Sequence, residues 1–328
     1  MNGPRGIATL IGSVLLSSCG GGDGAGGMVP QPSPTPAAPA RVTLGPTNYQ
    51  NAVTLSMGVA SSAYMYSKLG VSIVDRWLNV PIGFFPLIAC PEGGSMSIEL
   101  TDKNSDRSLD PGDTVHFHWE RCRTQGTTTT GVVRVEVNEA TPTPGGREYR
   151  LTLTISDLKI ERDASPPATV NFIAQVHYTR TATHDYTEIA NAQFNSGQVI
   201  GDTGTSTLQV AFYQDSAAQT YQYSVGGTVS SGALGGELEF ASPTPFSGVI
   251  GEYPSAGRMT ISGNAGSAAR LSEEGSAAAD VATVLVAVDS NGDGTVDASE
   301  AQHAWTSVVP VQLFAAYPDQ VAVAVPMP

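Results

Sequence analysis

From Ser95 onward, apolar and polar residues alternate: Val115, Phe117 and Trp119 against His116, His118 and Glu120, then Val133, Val135 and Val137 against Arg134, Glu136 and Asn138. A period of two points successive side chains to opposite faces, so each segment predicts a half-buried β-strand. Tyr149, Leu151, Leu153 and Ile155 continue the pattern. Leu158 and Ile160 follow in the opposite phase, which predicts a bulge near Ser156. Val170, Phe172, Ala174, Val176 and Tyr178 form the next run, and residues 206–213, 219–230, 235–241, 257–263 and 281–288 give further strands separated by Gly, Pro, Asp and Ser clusters. One-sided alternation leaves one sheet face in a core and the other in water. The expected fold is therefore all-β, an antiparallel meander forming a β-barrel or a β-sandwich, and the long strands at 147–160 and 169–180 favour the barrel.

Ahead of the strands the spacing is helical. Tyr49, Val53, Met57, Ala60 and Tyr64 recur at three or four residues, with Thr47 as N-cap and Gly70 just past the end, so one short helix is predicted over 47–69. The apolar stretch from Val71 to Cys90, broken by Pro81 and Pro86, reads as a connector packed on the sheet.

The first residues belong to none of this. Arg5 precedes an apolar stretch from Ile7 to Leu16, too short to span a bilayer but suited to a signal-peptide core. Leu16-Ser17-Ser18-Cys19 then resembles the bacterial lipobox, in which the Cys becomes the lipid-modified first residue of the mature chain. Gly20, rather than Asp, follows that Cys, and the resemblance then implies the outer membrane. A Gly-rich coil and a Pro-rich extended spacer come next, and neither can bury a core. The expected organisation is a signal peptide at 1–18, a disordered tether at 19–46 lipid-anchored through Cys19, a helix and apolar connector at 47–90, and a β domain at 91–328.

With Cys19 spent on lipid, Cys90 and Cys122 remain in an oxidising compartment. Ser95–Leu100 and Thr114–Trp119 read as the arms of a hairpin that brings both cysteines to its open end, so a disulfide is expected, with two buried thiols as the alternative.

The chain carries 16 Lys plus Arg against 30 Asp plus Glu, which excludes the cationic surface nucleic acid demands. The imbalance lies in the second half, where residues 182–328 hold only Arg258 and Arg270 against 15 acids. Two loops give that acidity a chemical meaning. Asp289-Ser290-Asn291-Gly292-Asp293-Gly294-Thr295-Val296-Asp297-Ala298-Ser299-Glu300 fits the EF-hand loop pattern without exception. Calcium takes six to eight oxygens, supplied here by Asp289, Asn291, Asp293, the Thr295 carbonyl, Asp297 and both oxygens of Glu300. The other loop, earlier in the chain, runs from Asp102 to Asp113, with Asp102, Asn104, Asp106, Ser108, Asp110 and Asp113 as donors. It departs from the pattern at Arg107, which replaces the turn Gly, and at Asp113, which replaces Glu. Both changes weaken the expected site. Strands, not helices, precede both loops, so calcium in them would stabilise rather than reorient helices as a sensor does.

Taken together, the lipobox, Cys90-Pro91-Glu92-Gly93-Gly94, the Asp-rich loop ending in Gly112-Asp113 with Cys122 beyond it, and the terminal loop followed by Trp305 resemble bacterial β-rich lipoproteins with EF-hand-like calcium loops. That group brings no assigned activity to carry over. No nucleophile elbow, zincin helix, phosphate loop or dinucleotide fingerprint occurs in the sequence, and no catalytic residue is assigned. His116 and His118, with His177 and His184, suit a solvated strand face better than a metal cluster. Trp119, Trp305 and most Tyr residues suit a core better than a sugar-stacking platform. The expected function is a lipid-anchored, calcium-stabilised extracytoplasmic protein of structural or binding role, with no protein or glycan partner specified. The alternatives are a hydrolase of envelope or external polymers and a barrel carrier of a small apolar ligand.

Overall fold

In a computed structural model, residues 40–78, 87–106, 109–124, 126–143, 145–162, 165–197, 203–272 and 283–305 are described. One helix, α1 (Tyr49–Trp77), precedes fourteen strands. These are β1 (Ile88–Ala89), β2 (Ser95–Thr101), β3 (Thr114–Thr124), β4 (Thr127–Thr143), β5 (Gly146–Arg162), β6 (Ser165–Arg180), β7 (His184–Gly197), β8 (Thr203–Asp215), β9 (Thr220–Ser231), β10 (Gly236–Val249), β11 (Ala256–Ser262), β12 (Ala268–Ser272), β13 (Thr283–Asp289) and β14 (Ala298–Ala304). Each pairs antiparallel with the next in sequence, in one continuous sheet. This is the antiparallel meander the alternation predicts. Among the described residues β1 and β14 do not pair, so the sheet is open there.

Alternation sorts the two faces as expected. Phe117, Val135, Leu153, Val176, Val210 and Tyr223 are fully buried on the inner face, while Arg134, Gln175, Glu188 and Gln222 point outward. Burying each large apolar side chain contributes about 1.5–3 kcal/mol. A membrane barrel shows the inverse pattern, apolar outside. The phase change after Ile155 is the expected bulge: pairing skips from Ile155 to Leu158, and Asp157 adopts φ 49°. Gly131 sits against it, where a Cβ would lie 2.7 Å from the Asp157 carbonyl oxygen.

The inner face is filled by α1, which touches β4 through β9 and β11. Leu55 to Ser61 are buried without interruption, so this part of the helix is enclosed on every side. The sheet therefore curls around a central helix. At 29 residues the helix is not short, and it runs eight residues past Leu69. Gly70 does not end it: the backbone stays helical to Trp77, and Gly70 is buried against the Leu153 side chain. A glycine inside a buried helix reads in sequence like a terminator. The N-cap is Asn48 rather than Thr47, and its Oδ1 accepts from the Gly45 amide at 2.9 Å instead of capping the helix.

The folded body also starts earlier than the expected boundary at 46/47. Val42 and Leu44 are buried, Arg41 bridges Glu237 of β10, and the Leu44 amide donates to Ser267 Oγ at 3.0 Å. The segment 40–45 crosses the ends of β10 to β12 because it carries the two apolar residues that complete the inner face there. The residues of the expected signal peptide and most of the expected tether, Cys19 included, lie outside the described residues.

Candidate functional site

Strand directions decide where the loops fall. The β2–β3 loop, residues 102–113, and the β13–β14 loop, residues 290–297, lie at opposite ends of the sheet.

In the second loop the Asp289 carboxylate, nearly buried at the end of β13, accepts from the amides of Gly292 at 2.7 Å and Gly294 at 2.9 Å. Asn291 Oδ1 accepts from the Asp293 amide at 2.9 Å, and Asp293 Oδ1 accepts from the amide of Thr295 at 2.8 Å and from its hydroxyl. Those bonds from Thr295 hold the Asp293 carboxyl below the usual carboxylate range. Asp297 ties the two ends together by accepting from the Ser290 amide and hydroxyl. Gly292 and Gly294 adopt φ 77° and 88°. A Cβ on Gly292 would meet the Ala265 carbonyl oxygen at 2.5 Å, so the loop is pressed against the turn at Asn264–Gly266. The Glu300 side chain is outside the described set.

The first loop repeats this geometry. Asp102 Oδ1 accepts from the amide three residues on, that of Ser105, at 2.6 Å, as Asp289 does from Gly292. Asn104 Oδ1 accepts from the Asp106 amide at 3.0 Å, and Asn104 Nδ2 donates to Asp106 Oδ2 at 3.1 Å, matching the Asn291 and Asp293 pair. Ser105 and Gly292, both fourth in their loops, share a left-handed backbone. The sequence pattern stresses the sixth position and gives no warning of the fourth.

The loops diverge afterwards. Asp113 is fully buried, and its two oxygens accept from the amides of Lys103 at 2.9 Å and Asp110 at 3.1 Å. It serves as a cap on its own loop. Partial burial and the nearby Asp113 and Asp106 charges raise the Asp110 carboxyl, against the lowering effect of Asn104, whose Nδ2 donates to Asp110 at 2.7 Å. Arg107 and Ser108 lie outside the described residues. Among those described, no three His, Cys, Asp or Glu side chains converge closely enough to hold a metal. The carboxylates are turned instead toward amide groups of their own loops.

Cys90 and Cys122 form the expected disulfide, with Cα atoms 5.4 Å apart. The Cys90 to Gly94 turn is laced to β3 by bonds from the Glu92 amide to the Arg123 carbonyl and from the Arg123 amide to the Gly93 carbonyl, at 3.1 and 2.8 Å. Gly94 has φ 75°, and a Cβ there would fall 2.0 Å from the Arg121 carbonyl oxygen. Only glycine fits, which accounts for the Gly-Gly after the cysteine.

Among the described residues the histidines do not gather into one site. His116 and His118 stack on β3, with Glu99 3.7 Å from His118. His177 contacts Glu148 at 2.7 Å on one ring nitrogen and Glu188 at 3.7 Å on the other, and His184 lies 3.4 Å from Asp215.

One polar cluster gives no signal in the sequence. Lys68 of α1 approaches Asp185 of β7 at 3.2 Å and lies 4.5 Å over the ring of Tyr178, whose hydroxyl donates to Asp185 at 2.9 Å. Nearby, Asp75 of α1 meets Arg147 at 3.3 Å, and Arg147 donates to the Tyr149 hydroxyl at 3.3 Å. Burial and the neighbouring Asp185 charge raise the Tyr178 phenol far above its ordinary value. Tyr178 stays neutral, so the cluster fastens helix to sheet instead of offering a nucleophile.

Comparison of the chain with family models, with curated proteins and with solved structures finds no match.

Proposed function

We propose that this is a lipid-anchored extracytoplasmic β protein whose sheet is stabilised at both ends by calcium in the loops 102–113 and 289–300, with a structural or binding role at the outer membrane. The observation that carries it is the shared hydrogen-bond pattern over the first five positions of both loops. Two separate segments at opposite ends of the sheet have folded the same Asp, Asn and Asp side chains into the same turn. The donor set is carboxylate, amide and carbonyl oxygen, which suits a hard cation over zinc or copper. Asp289, Asn291, Asp293, the Thr295 carbonyl, Asp297 and Glu300 would hold it in the second loop, and the carboxylates would rotate from the amides they now accept from. Outside the cytoplasm, millimolar calcium fills even weak sites. The lipobox at Cys19 supports that address.

A bound ion at a hundred times its dissociation constant would contribute about 2.7 kcal/mol. Calorimetry on the Cys19→Ala chain therefore tests the reading. The melting temperature should rise in millimolar calcium over chelator, and much of the rise should vanish in Asp293→Ala. A melting temperature indifferent to calcium overturns it.

A further inference from the structure

The register of β9 and β10 breaks. Val229 pairs with Leu238, and the next pair is Tyr223 with Phe246, so five residues of β9 face seven of β10 with no ladder between them. Pro243 and Pro245 lie in the bowed part of β10 and have no amide to donate. Ser242 partly bridges the gap, accepting through Oγ from the Val225 amide at 3.3 Å. The break opens a cleft of about 260 Å³ on the outer face, lined by Thr207, Gln209, Gly226, Thr228 and Glu239 among others.

Beyond the cleft lies a track of outward-facing residues on β8 and β9. Along β8 and β9 the outward pairs are Gln209 with Gly226, Ala211 with Ser224, and Tyr213 with Gln222. Small residues floor the middle. At the far end the half-exposed Tyr213 pairs across the sheet with Tyr186 of β7 and packs on His184, with ring centroids 5.5 Å apart. From Gln209 to Tyr213 is about 13 Å of strand. These two tyrosines are the exception to the core assignment of the aromatic residues, because they occupy the outward phase of their strands.

We infer that this track binds a glycan chain that is neutral or carries amino groups. Hydroxyl, amide, carboxylate and main-chain groups in the cleft offer both donors and acceptors to sugar hydroxyls, and the half-exposed Tyr213 ring offers an apolar edge to a pyranose. Charge sets the class. The sequence has no Lys or Arg from residue 181 to 257, so β7 to β10 bring neither to the track, while Arg258 of β11 stands opposite Thr244 in the bowed part of β10. Glu188, Asp215 and Glu239 border it, and Arg41, which reaches it from the N-terminal segment, is tied to Glu239 at 3.2 Å. An acidic polysaccharide would be repelled. The inference is independent of the calcium reading.

Isothermal titration of the Cys19→Ala chain tests it with three probes: a linear neutral glucan oligosaccharide, a chitosan oligosaccharide and an oligogalacturonate. Binding of at least one of the first two and none of the third is expected. Gln209→Ala and Tyr213→Ala should each weaken that binding about tenfold, the loss of roughly one stacking or hydrogen-bond interaction, with the fold retained because both side chains face outward; only Tyr213→Ala, which also loses its stacking on His184, should lower the melting temperature. Gly226→Ala, whose Cβ would meet only the Phe240 carbonyl oxygen at 3.6 Å, should narrow the cleft and weaken binding without disturbing the fold. Absence of binding to both the neutral and amino probes, equal binding of oligogalacturonate, or affinity indifferent to all three substitutions overturns the proposal. So does binding of a polylysine peptide without binding of any oligosaccharide, which would assign the face to a basic protein.

Discussion

Lys68 and Asp185 lie 3.2 Å apart where α1 meets β7, and the same carboxylate accepts from the Tyr178 hydroxyl of β6. One helix residue is thereby fixed to two neighbouring strands. The pair keeps about a fifth of its side-chain surface in solvent, 18 % for Lys68 and 24 % for Asp185. Its attraction is screened accordingly, whereas the buried phenol depends on its acceptor.

The three groups should therefore differ when removed. Asp185→Ala leaves the Tyr178 hydroxyl without that acceptor and should cost about 1–3 kcal/mol. Lys68→Met keeps the apolar stem over the Tyr178 ring and should cost less, at most about 1 kcal/mol. Urea unfolding of the two variants checks the order, and equal losses would show that the ion pair, not the phenol, dominates.

Gly70 lies in the middle of α1, where glycine is about 1 kcal/mol worse than alanine. A Cβ would reach Leu153 at 3.4 Å, an ordinary contact. Gly70→Ala should thus stabilise by up to about 1 kcal/mol, while Gly70→Leu should overpack and destabilise by about 1–3 kcal/mol. Opposite shifts in melting temperature are the expected result.

Burial pushes the phenols of Tyr66 and Tyr149 up to about 12, against 10 in an unfolded chain. Between those values the folded protein holds protons that the unfolded chain has lost. Stability is therefore fully present below pH 10 and falls as pH rises toward 12. Spectrophotometric titration should show these two tyrosines ionising near pH 12 rather than near 10, and Tyr149→Phe should flatten the alkaline loss.

Asp113 and Asp106 belong to one loop but should behave differently. In chelator, Asp113→Ala leaves two amides without their buried acceptor and should cost about 2 kcal/mol, while exposed Asp106→Ala should cost about 0.5 kcal/mol or less. Calcium should widen the cost of Asp106→Ala and leave that of Asp113→Ala nearly unchanged, read from paired melting curves.

Much of the fold was legible because its determinants are local. Alternation at Val115 to Trp119 and Val133 to Val137 fixes which face is buried whatever lies beyond, and the two-phase run around Ser156 encodes its own bulge. The first loop was legible as donors spaced along the chain. It was not legible that Asp113 would turn inward to cap Lys103 and Asp110, since that depends on the loop's burial.

By itself, then, the sequence determined the antiparallel meander, the pairing of Cys90 with Cys122 and the two acidic turns, all of which follow from nearest neighbours and strand period. Tertiary structure decided what fills the sheet and what its outer face presents. Gly70 reads as a terminator until Leu153 is seen against it, and Tyr186 and Tyr213 come side by side only through the pairing of β7 with β8. The Lys68, Asp185 and Tyr178 cluster joins residues more than a hundred positions apart. A one-dimensional pattern carries the periodicity of a face, but only closure of the chain on itself brings distant faces together.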